Sequence, residues 1–233
     1  MKIYGLQKMT LLDFPGRVAC TVFLGLCDFR CPYCHNFELV DGTAVPVMEE
    51  EEFFSFLAKR KGLLDGVAIT GGEPSIHADL PEFCRRIRAL GFPVKLDTNG
   101  YHPEMLRRLL EEKLVDYVAM DVKNSPEKYP ETAGRRGLDL SLLQESIALL
   151  MHSGVDHEFR TTVVKEFHEQ RDFEEIGKLI AGAEKYYLQC FADRDTVPFG
   201  NLTAPSKEEM ELFAETARKY VRQVSLRGVD SSR

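Results

Sequence analysis

Two patterns of hydrophobic residues alternate along the chain: short continuous apolar runs, and longer segments with helical spacing. Short apolar runs rich in β-branched and aromatic residues predict buried strands at about 17–25, 66–70, 93–97, 115–121, 157–164 and 186–191. Between these runs, apolar residues recur at helical spacing, as at Phe53, Phe56 and Leu57.

Alternating strands and helices predict parallel pairing with right-handed crossovers. A closed eight-unit barrel needs about 250 residues. Six units in 233 residues therefore predict a partial (β/α)6 TIM-like barrel, although a doubly wound open sheet would give the same periodicity.

The pattern also predicts how the chain is organised. We expect one domain over residues 1–233, with a barrel core at about 17–191 and a C-terminal loop and helix at 192–233. Ser206 and Glu209 have the spacing of a capping box. This spacing predicts the start of the C-terminal helix.

Composition and charge narrow the function classes. The formal net charge is −7, which does not favour broad binding to nucleic acid. The sequence has no apolar run long enough to span a membrane, and its start lacks the apolar segment of a secretory signal. These features predict a cytoplasmic protein without a membrane partner. Six cysteines in 233 residues are too few for a disulfide scaffold.

Three of the cysteines form the strongest chemical motif. Cys27, Cys31 and Cys34 follow a C-x3-C-x2-C spacing directly after the first predicted strand. Thiolates are the usual ligands of iron–sulfur clusters. Three of them bind three irons of a [4Fe–4S] cubane and leave the fourth iron open to another ligand. The alternative is a structural zinc site with His35 as the fourth ligand.

Polar motifs stand at the ends of the next three predicted strands. They are Thr70–Pro74 (TGGEP), Asp97–Gly100 (DTNG) and Met120–Lys123 (MDVK). The carboxyl ends of barrel strands are where such folds keep their active sites. Each motif alone has a plainer explanation, because paired glycines mark turns and a strand-end Asp often caps a helix. Their common placement favours a binding site.

Taken together, these motifs resemble the radical S-adenosylmethionine (SAM) superfamily. The resemblance implies one [4Fe–4S] cluster on Cys27, Cys31 and Cys34, whose open iron binds SAM and whose electron cleaves it to a 5′-deoxyadenosyl radical. It also implies a set of SAM-contacting residues. These are Tyr33, Gly71, Gly72, Glu73, Asp97, Thr98, Asn99, Asp121, Lys123, Arg160 and Gln189. Tyr33 could instead simply cover the cluster, and Arg160 and Gln189 could be ordinary polar strand residues.

The order GLQKMTLLDFPG, CPYCHN, TGGEP, DTNG and MDVK is similar to the activating enzymes of glycyl radical enzymes. It is closest to those of anaerobic ribonucleoside-triphosphate reductase. This resemblance implies that reductase as the partner and a flavodoxin or ferredoxin as the electron donor. A related activase further implies a Na⁺ or K⁺ ion at Asp97, Thr98 and Asp121, because two unpaired carboxylates side by side need a cation.

Two other functions stay open at this point. A small-molecule radical SAM enzyme resembling 7-carboxy-7-deazaguanine synthase would share the cysteine motif and the small size. A zinc or iron–sulfur binding module without catalysis would need none of the strand-end motifs. Cys20, Cys84 and Cys190 are isolated in apolar runs, where cysteine commonly acts as a small buried hydrophobe. We therefore expect a single cluster.

Overall fold

The computed structural model describes residues 1–229, and in this part nine strands form one sheet. The strands are β1 (Lys2–Thr10), β2 (Ala19–Leu24), β3 (Met48–Glu49), β4 (Gly66–Gly71), β5 (Val94–Thr98), β6 (Tyr117–Asp121), β7 (Asp156–Val163), β8 (Lys185–Cys190) and β9 (Gln223–Arg227). Their order is β3-β1-β2-β4-β5-β6-β7-β8-β9. Every pair from β2 to β9 is parallel, whereas β1 pairs antiparallel with both β2 and β3. The sheet is therefore mostly parallel and open.

Helices connect the parallel strands. They are α1 (Phe37–Asp41), α2 (Glu50–Ala58), α3 (Leu80–Ala89), α4 (Pro103–Glu111), α5 (Tyr129–Thr132), α6 (Leu140–Ser153), α7 (Gln170–Leu179) and α8 (Lys207–Ala217). The capping box at Ser206 forms as predicted, with the Ser206 hydroxyl accepting from the Glu209 amide. Among the described residues, no helix is long and apolar enough to cross a bilayer.

The six predicted strands are all present, and three further strands are not predicted. β9 makes the parallel part of the sheet seven strands wide rather than six, and it lies in the segment that was expected to hold only a loop and a helix. β1 forms a sheet border in which only Ile3 and Thr10 are buried. Because most of its side chains face solvent, its sequence lacks the apolar run that identifies the other strands.

Side chains alternate between the two faces of the sheet. On β5, Val94 and Leu96 are fully buried in the apolar core, whereas Lys95 and Asp97 line cavities on the opposite face. The same alternation places Ala119 and Asp121 of β6 opposite the core residues Val118 and Met120, as the two-residue period of a strand requires. The charged residues of β5 and β6 therefore lie on the face of the sheet that borders the cavities.

Candidate active site

A cavity of about 240 Å³ lies at the carboxyl ends of the parallel strands. The predicted cluster ligands and SAM-contacting residues all line it: Cys27, Cys31, Tyr33, Cys34, Gly71, Gly72, Glu73, Asp97, Thr98, Asn99, Asp121, Lys123, Arg160 and Gln189. These residues come from six segments that are distant in sequence. The fold therefore brings the predicted set together, while the contact of each residue with SAM stays a prediction.

The cysteine loop supplies three free thiols to this cavity. The Cys34 amide donates to the Cys31 carbonyl at 3.1 Å, and the Phe29 amide donates to the Cys27 sulfur at 3.4 Å. Burial raises the pKa of all three thiols, that of Cys31 to about 11. A bound metal would reverse this, because coordination deprotonates a thiol. The other cysteines, Cys20, Cys84 and Cys190, do not line the cavity.

His35, the fourth ligand of the zinc alternative, lines the same cavity as the three cysteines and contacts the loop after β8. Its Nε2 atom lies 2.6 Å from the Ala192 carbonyl, and its ring stacks on Phe191 with an interplanar angle of 11°. The side chain that would be the fourth zinc ligand is thus engaged with the loop after β8. Within residues 1–229, no three His, Cys, Asp or Glu side chains are arranged to hold a single metal ion.

Asp28, between the first two cysteines, anchors the loop. Its carboxylate accepts from Asn99 Nδ2 and Arg135 Nη1, each at 3.0 Å, and lies 3.2 Å from His102 Nε2. Although burial opposes the shift, hydrogen bonds from His102 and Asn99 lower the pKa of Asp28. The same contact raises the pKa of His102. The sequence analysis missed Asp28, His102 and Arg135, because nothing in their local pattern shows that they meet.

The paired glycines hold the second motif against the cysteine loop. Gly71 has φ +119°, and a Cβ added there would lie 2.3 Å from the Leu24 carbonyl oxygen. A Cβ on Gly72 would lie only 1.9 Å from the Leu26 carbonyl oxygen. The Gly72 and Glu73 amides donate to those two carbonyls, each at 2.8 Å. Glycine is therefore required here by the close approach of two backbone segments.

Glu73 is engaged with the protein through both carboxylate oxygens. Oε1 accepts from the amide and hydroxyl of Ser75 at 2.9 and 2.5 Å and from Thr98 Oγ1 at 2.7 Å. Oε2 accepts from the Asn99 amide at 2.6 Å. The side chain is only 1% exposed, and burial raises its pKa. Glu73 therefore positions the ends of β4 and β5, while its contact with SAM stays a prediction.

Four charged residues that line the cavity belong to a row of alternating charges, which ends at the neighbouring Lys95. Arg160 Nε donates to Asp121 Oδ1 at 2.8 Å, and Arg160 Nη1 donates to Asp97 Oδ2 at 3.3 Å. Lys123 Nζ donates to Asp121 Oδ2 at 3.0 Å, and Lys95 pairs with Asp97. Burial raises the pKa of Asp121, but the charges of Arg160 and Lys123 outweigh it and lower that pKa to about 2. Both carboxylates are thus ionised at neutral pH.

This row corrects the argument for a monovalent cation. The prediction of Na⁺ or K⁺ at Asp97, Thr98 and Asp121 rested on unpaired carboxylates, whereas three cationic side chains already pair with them. The Thr98 hydroxyl is also engaged, since it donates to Glu73 and accepts from the Gly100 amide at 3.1 Å. The structure therefore removes the premise on which the ion was predicted.

A protein-family model matches the part of the chain that includes the cysteine loop. The model of a family described as the radical SAM superfamily matches residues 21–180. The chain belongs to the radical SAM superfamily. Membership implies a [4Fe–4S] cluster and SAM as cofactors, and the spacing of Cys27, Cys31 and Cys34 in one cavity fits three cluster ligands.

Two relatives of this radical SAM protein are informative. A "Putative glycyl-radical enzyme activating enzyme" of Methanocaldococcus jannaschii is 33% identical over 238 residues, which cover 99% of this chain and 97% of the relative. A 7-carboxy-7-deazaguanine synthase of Thermococcus kodakarensis is 28% identical over 171 residues, 65% of this chain and 66% of the relative. Similarity to the first therefore extends over the full length of both chains.

The fold agrees with solved radical SAM structures. SuiB of Streptococcus suis bound to S-adenosylmethionine superposes with a TM-score of 0.64 at 13% identity, covering 89% of this chain and 52% of SuiB. At this identity the likeness concerns the fold alone.

The cavity of this radical SAM protein also contains a buried polar atom without a partner. Tyr33 is 4% exposed, and within residues 1–229 its hydroxyl has no hydrogen-bond partner. An unpaired buried hydroxyl is costly. A polar ligand in the cavity would satisfy it, which fits the expectation that Tyr33 contacts SAM.

Proposed function

We propose that this protein is a glycyl radical enzyme activase that acts on anaerobic ribonucleoside-triphosphate reductase in the cytoplasm, with a flavodoxin or ferredoxin as electron donor. The observation that carries the proposal is the similarity to the relative named a "Putative glycyl-radical enzyme activating enzyme", which covers 99% of this chain and 97% of the relative. The choice of reductase is supported by the LLDFPG, CPYCHN and MDVK segments. The specific partner and donor are expectations from that resemblance.

Each part of the cavity has a role in this proposal. The thiolates of Cys27, Cys31 and Cys34 hold the cluster, which together with SAM supplies a 5′-deoxyadenosyl radical. Lys123 and Arg160 bring positive charge to the cavity, and positive charge suits the carboxylate of SAM. Asp97 and Asp121 present carboxylate oxygens that can accept from ribose hydroxyl groups.

The proposed reaction is the removal of one hydrogen atom from a glycine. The Cα–H bond of the partner's glycine breaks, and a C–H bond forms at the 5′ carbon to give 5′-deoxyadenosine. The unpaired electron stays on the glycine Cα, where the flanking amides delocalise it. Glycine suits this reaction because it has no side chain to block the approach.

The direct test is anaerobic activation of candidate partners. The protein is mixed with SAM, a strong reductant and a candidate reductase, and the reductase is examined by EPR. We expect a doublet signal that disappears when the partner's glycine is replaced by alanine. If no glycyl radical enzyme acquires a radical and 5′-deoxyadenosine forms only with a small molecule, the alternative takes its place, namely a small-molecule enzyme resembling 7-carboxy-7-deazaguanine synthase.

A further inference from the structure

One charged side chain ties the cysteine loop to two other parts of the chain. Asp28 stands between Cys27 and Cys31 in the sequence, and its side chain is 16% exposed. Arg135 Nη1 donates to the Asp28 carbonyl and to carboxylate Oδ2, each at 3.0 Å. Asn99 Nδ2 donates to the other carboxylate oxygen, also at 3.0 Å. Both the backbone and the side chain of Asp28 are therefore held in place.

The segment that carries Arg135 packs closely against the cysteine loop. The Arg30 amide donates to the Ala133 carbonyl at 2.9 Å. Gly134 has φ +62°, and a Cβ added there would lie 2.1 Å from the Arg30 carbonyl oxygen. The Arg135 guanidinium lies over the Tyr101 ring, 4.4 Å from its centroid, where a cation–π contact stabilises it. These contacts hold the Arg135 guanidinium beside the loop.

Asn99 continues the path from Asp28 into the cavity, which it lines. Its Oδ1 accepts from the Tyr101 amide at 2.9 Å, so the donor end of the carboxamide faces Asp28. The Asn99 amide donates to Glu73 Oε2 at 2.6 Å. A continuous hydrogen-bonded path thus joins the motif of Glu73 to the cysteine loop.

We propose that Asp28 is a positioning residue, which keeps the cysteine loop in register with the SAM-binding motifs by acting through Asn99 and Arg135. The cysteine loop carries the predicted cluster ligands, and the strand ends carry the predicted SAM contacts, so their relative position sets where SAM meets the open iron. A misplacement of about 1 Å can cost roughly 100-fold in rate. Asp28 itself lies outside the lining of the cavity.

This role needs only the cofactors of the radical SAM superfamily. It is the same whether the substrate is a partner protein or a small molecule, so it stands apart from the proposed function. The path from Asp28 ends on residues that line the cavity, and its loss should therefore be visible in the binding of SAM before any substrate is present.

The test measures SAM binding by EPR. Each anaerobically reconstituted protein is reduced and titrated with SAM, because a ligand on the open iron changes the spectrum of the cluster. The variants are Asp28→Ala, Arg135→Met and the two together. We expect each single variant to keep the cluster, since the three thiols remain, and to raise the SAM concentration at half of the spectral change about tenfold. The control Arg222→Met removes an exposed pair with Glu184 and should stay within about twofold of wild type.

The double variant shows whether the two residues act together. If Asp28 acts through Arg135, the double variant should bind SAM no more than about twofold more weakly than the weaker single variant. Two independent effects would instead multiply to about 100-fold. A loss of that size in the double variant would overturn the shared role.

Two results with the single variants would also overturn the proposal. In the first, both bind SAM within about twofold of wild type while their urea midpoints fall, which assigns Asp28 to stability alone. In the second, both lose the cluster, which makes Asp28 necessary for assembling the loop and not for its register with the SAM motifs. If only Asp28→Ala fails to fold or to bind iron, Arg135→Met still decides, because it leaves the cysteine loop unchanged.

Discussion

Arg160 is the residue on which the charge row depends most. Its side chain is 13% exposed, and it pairs with Asp121 at 2.8 Å and with Asp97 at 3.3 Å. Replacing Arg160 with methionine keeps much of the aliphatic volume and removes both pairs. Breaking a buried pair by removing one partner costs about 3–5 kcal/mol. Because Lys95 and Lys123 still pair with the two carboxylates, we expect a loss of about 2–3 kcal/mol in the free energy of unfolding.

Urea unfolding of the apoprotein measures this loss. With a slope of about 3 kcal/mol per molar, the Arg160→Met midpoint should fall by roughly 1 M. The matched control is Arg222→Met, which removes a pair with Glu184 at 3.1 Å in which Arg222 is 74% exposed. Exposed pairs contribute about 0–1 kcal/mol, so this midpoint should move by less than about 0.3 M. Equal shifts in the two variants would refute the importance of the charge row.

The difference in unfolding free energy between wild type and Arg160→Met should depend on pH, because it includes the ionisation of Asp121. Its folded pKa of about 2 is below the ordinary value of 3.8. Its ionisation therefore stabilises the fold fully above about pH 4, and this contribution is lost as the pH falls toward 2. We expect the stability difference between wild type and Arg160→Met to be constant near neutral pH and to narrow below pH 4. A stability difference that widens as the pH falls would contradict a lowered pKa of Asp121 in the folded protein.

Three further predictions concern the loops and the predicted ion. Gly72→Ala would place a Cβ 1.9 Å from the Leu26 carbonyl oxygen, so the amount of iron bound after reconstitution should fall severalfold. The control is Gly200→Ala, which should bind iron normally because its added Cβ meets open space. Glu73→Gln turns an acceptor of the Asn99 amide into a donor and should lower the unfolding free energy by about 1–3 kcal/mol, as measured by urea denaturation. SAM affinity should agree within about twofold in sodium, potassium and lithium buffers of equal ionic strength, because protein cations already pair with the carboxylates.

The strands that sequence reasoning predicted are those with two buried faces or one strongly apolar face. The first four residues of β4 are all buried, as expected of a central strand, and β6 is buried except at Asp121. β9 has only one buried residue, Val224, so its apolar pattern is too short to recognise. Its pairing with β8 depends on the tertiary position of α8, which no local pattern gives.

The candidate site was predictable where a residue type and its spacing carry the chemistry. The cysteine spacing and the strand-end motifs identified most of the predicted lining residues, whereas Arg160 and Gln189 were expected only from the family resemblance. Lys95 was missed, because a lysine in a strand reads as a surface residue until the strand is known to face a polar interior. Asp28 was missed for another reason, since its partners Asn99, His102 and Arg135 lie 71, 74 and 107 residues further along the chain.

Reductive cleavage of SAM by cysteine variants tests the central claim most directly. The anaerobically reconstituted proteins receive SAM and a strong reductant, and 5′-deoxyadenosine is quantified by chromatography. The account predicts that alanine at Cys27, Cys31 or Cys34 abolishes the product, while Cys20→Ala and Cys84→Ala, in the apolar core, retain it. The account is contradicted if wild type forms no 5′-deoxyadenosine, or if the loop variants form as much as the core variants.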